Sequence, residues 1–174
     1  ELSRSVADEV IFMPGGFSAE YGRAMSGVVN LITAYPKTEP SAAYRIRSEK
    51  PMPYYYDFGY TDQALQAHGP ITRGLRLFVN AGGTTMDDWD PRLFRLPHKE
   101  RADYSLYGKA VADLGRTLKL TGSAAAFRSE FDRYQSQWKF RLDDYRSDMR
   151  HGNLGIASLS WLPEDRFLGK VQVS

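Results

Sequence analysis

Tyr104-Ser105-Leu106-Tyr107-Gly108-Lys109-Ala110-Val111-Ala112-Asp113-Leu114 is followed, after Gly115-Arg116, by Thr117-Leu118-Lys119-Leu120-Thr121-Gly122-Ser123-Ala124-Ala125-Ala126-Phe127. Both runs alternate with period two, and side chains two apart share one face of a strand. One face carries Tyr104, Leu106, Gly108, Ala110, Ala112 and Leu114, then Leu118, Leu120, Gly122, Ala124 and Ala126. The other carries Ser105, Tyr107, Lys109, Val111 and Asp113, then Lys119, Thr121, Ser123, Ala125 and Phe127. The stretch therefore predicts strand, tight glycine turn, strand, with one apolar face and one mixed polar face.

The same period recurs on both sides. Leu75, Leu77, Val79 and Ala81 alternate with Arg76, Phe78 and Asn80, and Tyr44 and Ile46 alternate with Ala43, Arg45 and Arg47. Further strands are predicted around Tyr60–His68, Asn153–Leu162 and Arg166–Ser174, about seven in all. The connections differ in length. Residues 69–74, 114–116 and 162–165 are short and rich in Gly, Pro and Asp, whereas 83–102 and 128–152 are long and polar. If the strands run up and down in order, every short turn falls at one end and every long loop at the other. That asymmetry characterises outer-membrane barrels. Alternation alone does not decide which face is covered. A soluble sandwich buries the apolar rows, and a membrane barrel turns them towards lipid around a polar lumen.

Composition narrows the classes. The 174 residues carry 23 Lys+Arg against 21 Asp+Glu, a net charge of +2, which supplies no basic field for nucleic acid. There is no cysteine, so disulfide scaffolds, thiolate catalysis and Cys-ligated zinc or iron–sulfur sites are excluded. No apolar run approaches the roughly 20 residues of a spanning helix. Glu1-Leu2-Ser3-Arg4 has no basic-then-apolar targeting pattern, and Val171-Gln172-Val173-Ser174 stops inside a strand pattern. The expectation is a piece of a longer polypeptide.

Residues 10–33 read Val-Ile-Phe-Met-Pro-Gly-Gly-Phe-Ser-Ala-Glu-Tyr-Gly-Arg-Ala-Met-Ser-Gly-Val-Val-Asn-Leu-Ile-Thr. They predict a strand over Glu9–Met13, a Pro14-Gly15-Gly16 turn, and a strand over Val28–Thr33 that is apolar on both faces and hence buried on both sides. Three enzymatic motifs fail here. A nucleophile elbow needs glycine where Glu20 stands, a phosphate loop needs Lys and Ser/Thr where Val28 and Val29 stand, and the dinucleotide fingerprint is absent. No nucleophile–base or carboxylate pair has a motif behind it elsewhere, so no enzyme and no cofactor is expected.

Gly16 to Arg23 and Ser26 to Thr33 closely resemble the end of the plug domain of TonB-dependent outer-membrane receptors, nearly continuously over about eighteen positions. Ala19-Glu20-Tyr21-Gly22-Arg23-Ala24 resembles in particular the large receptors that carry a carboxypeptidase-like regulatory domain. Gly69-Pro70-Ile71 before Leu77-Phe78-Val79, and Trp161-Leu162-Pro163 before Phe167, resemble that family's strand–turn–strand units more loosely. The sequence departs from the family after Thr33, where Ala34-Tyr35-Pro36-Lys37 replaces a Lys and a Gly-rich bend.

The resemblance implies a fold class of β. The chain would be a fragment of a plugged transmembrane antiparallel β-barrel, with the C-terminal end of the plug in residues 1–35 and about seven barrel strands in residues 36–174. A plugged barrel has about 22 strands, so the chain holds about a third of one and would not transport alone. The implied function is part of a bacterial outer-membrane transporter importing a scarce nutrient: siderophore, vitamin, glycan or peptide. The implied partners are the remainder of the barrel, outer-membrane lipid, the TonB complex and a surface lipoprotein. Two alternatives stay open, a non-transport barrel scaffold in a secretion or surface complex and a soluble β-rich binding module.

Individual residues were assigned within that frame. Glu20 and Arg23 are candidates for plug-to-wall ionic contacts, against a solvated surface pair worth at most ~1 kcal/mol. Tyr54, Tyr55, Tyr56, Phe58 and Tyr60 gather where an interfacial aromatic girdle belongs, and ligand stacking by Tyr55 and Tyr56 is the sharper reading. Trp89, Trp138 and Phe140 are further ligand-contact candidates on the long loops. Alternation of Tyr134, Ser136, Trp138, Phe140 and Leu142 predicts a ribbon there. Met86-Asp87-Asp88-Trp89-Asp90 lacks the spacing of a calcium loop, and His68, His98 and His151 are isolated, so no metal site is expected.

Overall fold

A computed structural model of the chain describes residues 6–15, 27–50, 58–88, 99–141, 146–164 and 167–173. Two antiparallel sheets contain most of them. The first is a ribbon of β1 (Ala7–Met13) and β2 (Val28–Thr33). The second has seven strands: β3 (Ser41–Ser48), β4 (Thr61–Thr72), β5 (Leu75–Met86), β6 (Arg101–Leu114), β7 (Leu118–Asp132), β8 (Ser147–Glu164) and β9 (Phe167–Val173). Each strand pairs with its sequence neighbours, in the order β3-β4-β5-β6-β7-β8-β9. The sheet is open, with β3 and β9 at its edges.

The up-and-down order puts the short turns at one end. The β4–β5 turn is narrower than expected, because β4 continues to Thr72 and only Arg73-Gly74 remains outside it. Pro70, which has no N–H to give to a ladder, sits where the register shifts between Pro70 and Thr72. Gly74 and Gly115 both adopt φ +85°, a region that glycine enters without a Cβ penalty. The polar segments expected as long loops are also partly strand. β7 runs to Asp132 and β8 starts at Ser147, so the sheet rises past the apolar alternation on which the boundaries were predicted.

Two expectations are overturned. Residues 134–141 do not form an alternating ribbon, because Ser136–Trp138 is a 3-10 turn, with the N–H of Trp138 donating to the Gln135 carbonyl and that of Arg141 to the Trp138 carbonyl, and Leu142 lies outside the described residues. Local i-to-i+3 bonding wins there, where no strand among the described residues lies alongside to complete a ladder. Nor is β2 buried on both sides. Val29 is 64% exposed and Leu31 is also exposed, since β2 pairs with β1 in a ribbon only two strands wide.

Candidate functional site

The pairing register sorts the seven strands into two faces of opposite character. One face consists of rows that cross the sheet. Tyr44, Leu65, Ala81, Leu106, Ala126 and Asn153 form one row, and Val79, Gly108, Ala124 and Gly155 lie in the next. Leu77, Ala110, Gly122 and Ala157 follow, then Leu75, Ala112, Leu120 and Leu159, and finally Leu114, Leu118 and Trp161. Apart from Asn153 and the Tyr44 hydroxyl, these side chains are apolar or absent. They are also open to the surroundings: Leu106 is 52% exposed, and Tyr44, Leu65, Leu114, Leu120, Leu159 and Trp161 are exposed too. Beyond this band, towards the long loops, the next row carries Gln63, Tyr104, Arg128 and His151.

Two aromatic–glycine pairs brace the sheet near that end. The Tyr104 ring lies over Gly83, where a Cβ would come within 3.1 Å of it, and the Phe127 ring lies over Gly152, where a Cβ would come within 2.6 Å. These rings occupy space that any larger partner would contest. A shallow apolar groove of ~610 Å³ is lined on this face by Val79, Leu106, Gly108, Ala124, Ala126 and Gly155.

The opposite face holds the polar and charged residues and is covered at its centre, while Arg45, Lys119, Phe127 and Leu154 on the same face are exposed. Arg45 faces Asp62 at 3.6 Å, Arg76 faces Asp113 at 2.8 Å, and Arg101 faces Asp103 at 2.6 Å. Thr84 donates to Asp62 at 3.0 Å. Among these polar groups lie buried side chains of the sheet, Phe78, Val111 and Asn80 at 0% exposure and Tyr107 at 5%. Phe78 meets Tyr107 edge-on, with ring centroids 6.0 Å apart, and Val6, Ala34 and Ala125 pack against the pair.

What docks on this face is the root of the ribbon. The Tyr107 hydroxyl donates to Thr33 Oγ1 at 2.8 Å. Lys109 Nζ donates to the same oxygen at 3.1 Å and to the Thr33 carbonyl at 3.3 Å. Tyr35 stands within cation–π reach of two strands, 5.4 Å from Lys109 Nζ and 5.5 Å from the Arg76 guanidinium. The Ala34 N–H donates to the Val6 carbonyl at 2.8 Å, which ties the two chain segments together at the same place, and Pro36 is fully buried. Sequence reasoning did not single out Thr33, Tyr35, Arg76, Tyr107 or Lys109. The available signal was a lysine in the middle of an otherwise small-residue strand, set on the polar face.

Of the residues singled out from sequence, Glu20, Arg23, Tyr55, Tyr56 and Trp89 lie outside the described residues. Trp138 ends the 3-10 turn at the long-loop end, and Phe140 lies two residues beyond it. Phe140 is 87% exposed with Lys139 Nζ 4.7 Å above its ring, and the Arg141 guanidinium lies 5.8 Å from the Trp138 ring. Asp88 is engaged by Lys99 at 3.6 Å, both side chains almost completely buried, at the base of the β5–β6 loop. Among the described residues no group of three or more His, Asp or Glu is placed to hold a metal ion, and His68 and His151 stand on separate strands.

No family model, curated protein or solved structure matches the chain.

Proposed function

We propose that this chain is wall and stopper of a plugged outer-membrane transporter of the TonB-dependent kind, the seven-stranded sheet being membrane wall and the ribbon the end of the plug. The observation that carries the reading is the inverted sheet: its uncharged apolar face is exposed across the strands, and its charged face is buried at the centre, where the ribbon root docks. A water-soluble sheet of this size would do the reverse, because monomers rarely expose apolar patches beyond a few hundred Å².

The dimensions support the same reading. Ten residues separate the Tyr104 row from the Leu114 row that holds Trp161. At about 3.3 Å per residue and a tilt of about 40°, that spans ~25 Å along the membrane normal. This is the height of the apolar band of outer-membrane barrels, and tyrosine at one rim with tryptophan at the other fits interfacial girdles. In lipid the open edges at β3 and β9 leave backbone groups that need partner strands, so the wall is completed by further strands of the same receptor. The 3-10 turn ending at Trp138, with Phe140 just after it, then faces the outside, where a scarce nutrient is captured. The TonB complex and a surface lipoprotein remain the partners proposed for the longer protein.

The cysteine-free sequence suits single-site labelling. In membranes containing the longer protein, a fluorophore on Leu106→Cys or Leu120→Cys is expected to be quenched by lipids that carry a quencher in the acyl chain. The same probe on Thr121→Cys or Ser158→Cys is expected to respond to an aqueous quencher instead. Equal aqueous quenching at all four positions would remove the proposal.

A further inference from the structure

Beyond the Tyr104 row, towards the long loops, arginines of the polar face gather around one ring. Phe131 stands directly across from Arg101 on β6 and from Asp148 on β8. The Arg133 guanidinium lies 5.4 Å from the Phe131 ring centroid and the Arg150 guanidinium 5.0 Å. Asp103 engages Arg101 at 2.6 Å, and Asp148 engages Arg133 at 3.1 Å. Arg150 is the remaining cation. It is exposed, and among the described residues its contact is the ring rather than a carboxylate. Like charges brought this close repel, so the cluster favours a further anion as neighbour. The opposite face has the other sign at this level. Glu130 and Asp132, which share the face of Tyr104, line a groove of ~390 Å³ with Asp87 and Glu100, Glu130 being paired with Arg128. Excess cations on one side of a wall and carboxylates on the other set up a field that draws anions to the first side.

We propose that Arg150, laid against Phe131, is an oxyanion-binding site at the mouth of the lumen, which takes a carboxylate or phosphate group of an incoming solute. A guanidinium resting on an aromatic face keeps its N–H donors in its own plane, and two of them match the two oxygens of a carboxylate or phosphate. The ring contact fixes the guanidinium before an anion arrives, so less conformational freedom is lost on binding. Arg133, secured by Asp148, adds positive charge beside the site. The inference rests on the proposed function for the side from which a solute comes, and it narrows that reading to nutrients that carry an acidic group.

The test is calorimetric titration of the longer protein, in non-ionic detergent at low ionic strength, with citrate and with inorganic phosphate. Saturable binding of at least one of them is expected, and their relative affinity tells carboxylate from phosphate recognition. Arg150→Gln is expected to weaken binding about tenfold, the scale of hydrogen bonds to a charged group. Phe131→Leu leaves the net charge unchanged and is expected to weaken it about two- to fivefold through loss of the ring contact. Arg116→Gln, in the β6–β7 turn at the other end of the sheet, removes an equal charge and is expected to leave binding as in the parent. Should Phe131→Leu lose the β-sheet circular dichroism signal, Arg150→Lys replaces it: this variant keeps the charge without the planar donors, and its affinity is expected to fall between those of the parent and Arg150→Gln. Unchanged affinity in Arg150→Gln, an equal loss in Arg116→Gln, or no saturable binding of either anion would overturn the site. Because the titration needs no lipid contact, its failure leaves the membrane-wall reading standing, and failure of the lipid-quenching experiment leaves the anion site intact.

Discussion

An arginine placed on Ala124 separates a membrane wall from a soluble sheet. Ala124 is exposed on the apolar face and stands in register between Gly108 and Gly155, so a long side chain meets no neighbouring side chain in its own row. It lies four residues from the Tyr104 row, since Gly108 is its partner on β6. At about 3.3 Å per residue and about 40° of tilt, this is ~10 Å below the rim, close to the middle of a ~25 Å band. An arginine at that depth costs about 2–4 kcal/mol, falling to about 0–1 kcal/mol near the interface. Ala124→Arg is therefore expected to lose about 3 kcal/mol in urea unfolding from lipid vesicles. Ala102→Arg, two residues beyond the Tyr104 row, is expected to lose less than about 1 kcal/mol. Ser158→Arg, on the polar face, serves as the lumen control. An exposed position on a soluble sheet stays within about 0.5 kcal/mol. A cost for Ala124→Arg no larger than that for Ala102→Arg would refute the assignment of lipid to this face.

Three further outcomes follow from the same structure. Gly115→Ala and Gly74→Ala each force an L-residue into positive φ at roughly 1–2 kcal/mol, but only at Gly74 does the new Cβ come within 2.9 Å of the Asp113 carbonyl; chemical unfolding is expected to rank Gly74→Ala as clearly the worse, and the reverse order would contradict the turn geometry. Lys99→Met leaves the Asp88 carboxylate buried without that cation, at a cost of about 3–5 kcal/mol, and adding Asp88→Leu is expected to recover most of it. Equal stability of the single and double variants would show that the pair is not coupled. Phe140→Ala is expected to change stability by less than about 0.5 kcal/mol while lowering uptake or ligand capture by the longer protein; unchanged uptake would remove Phe140 from the ligand-contact residues.

Strand existence was legible because period two is a local property. Leu106, Gly108 and Ala110 announce a face whether or not anything covers it. Strand ends were less legible: β7 continues through Arg128, Ser129 and Glu130, whose polarity reads as loop. They extend the ladder because β6 and β8 lie on both sides to take up their backbone hydrogen bonds. The same logic in reverse explains Trp138, where alternation was present and a strand partner was not. The contact between the ribbon and β6 was the least visible feature, since Thr33 and Lys109 are 76 residues apart in sequence and Lys109 belongs to no recognisable motif.

The sequence by itself determined seven alternating strands, the separation of apolar from polar rows, and the placing of short turns against long connections. These follow from side-chain periodicity and from glycine and proline, which act within a few residues. Only the tertiary structure decided which face is covered. That choice depends on where the Thr33–Pro36 segment comes to rest, and its resting place is set by Tyr107, Lys109 and Arg76 on strands that the local pattern cannot relate to it.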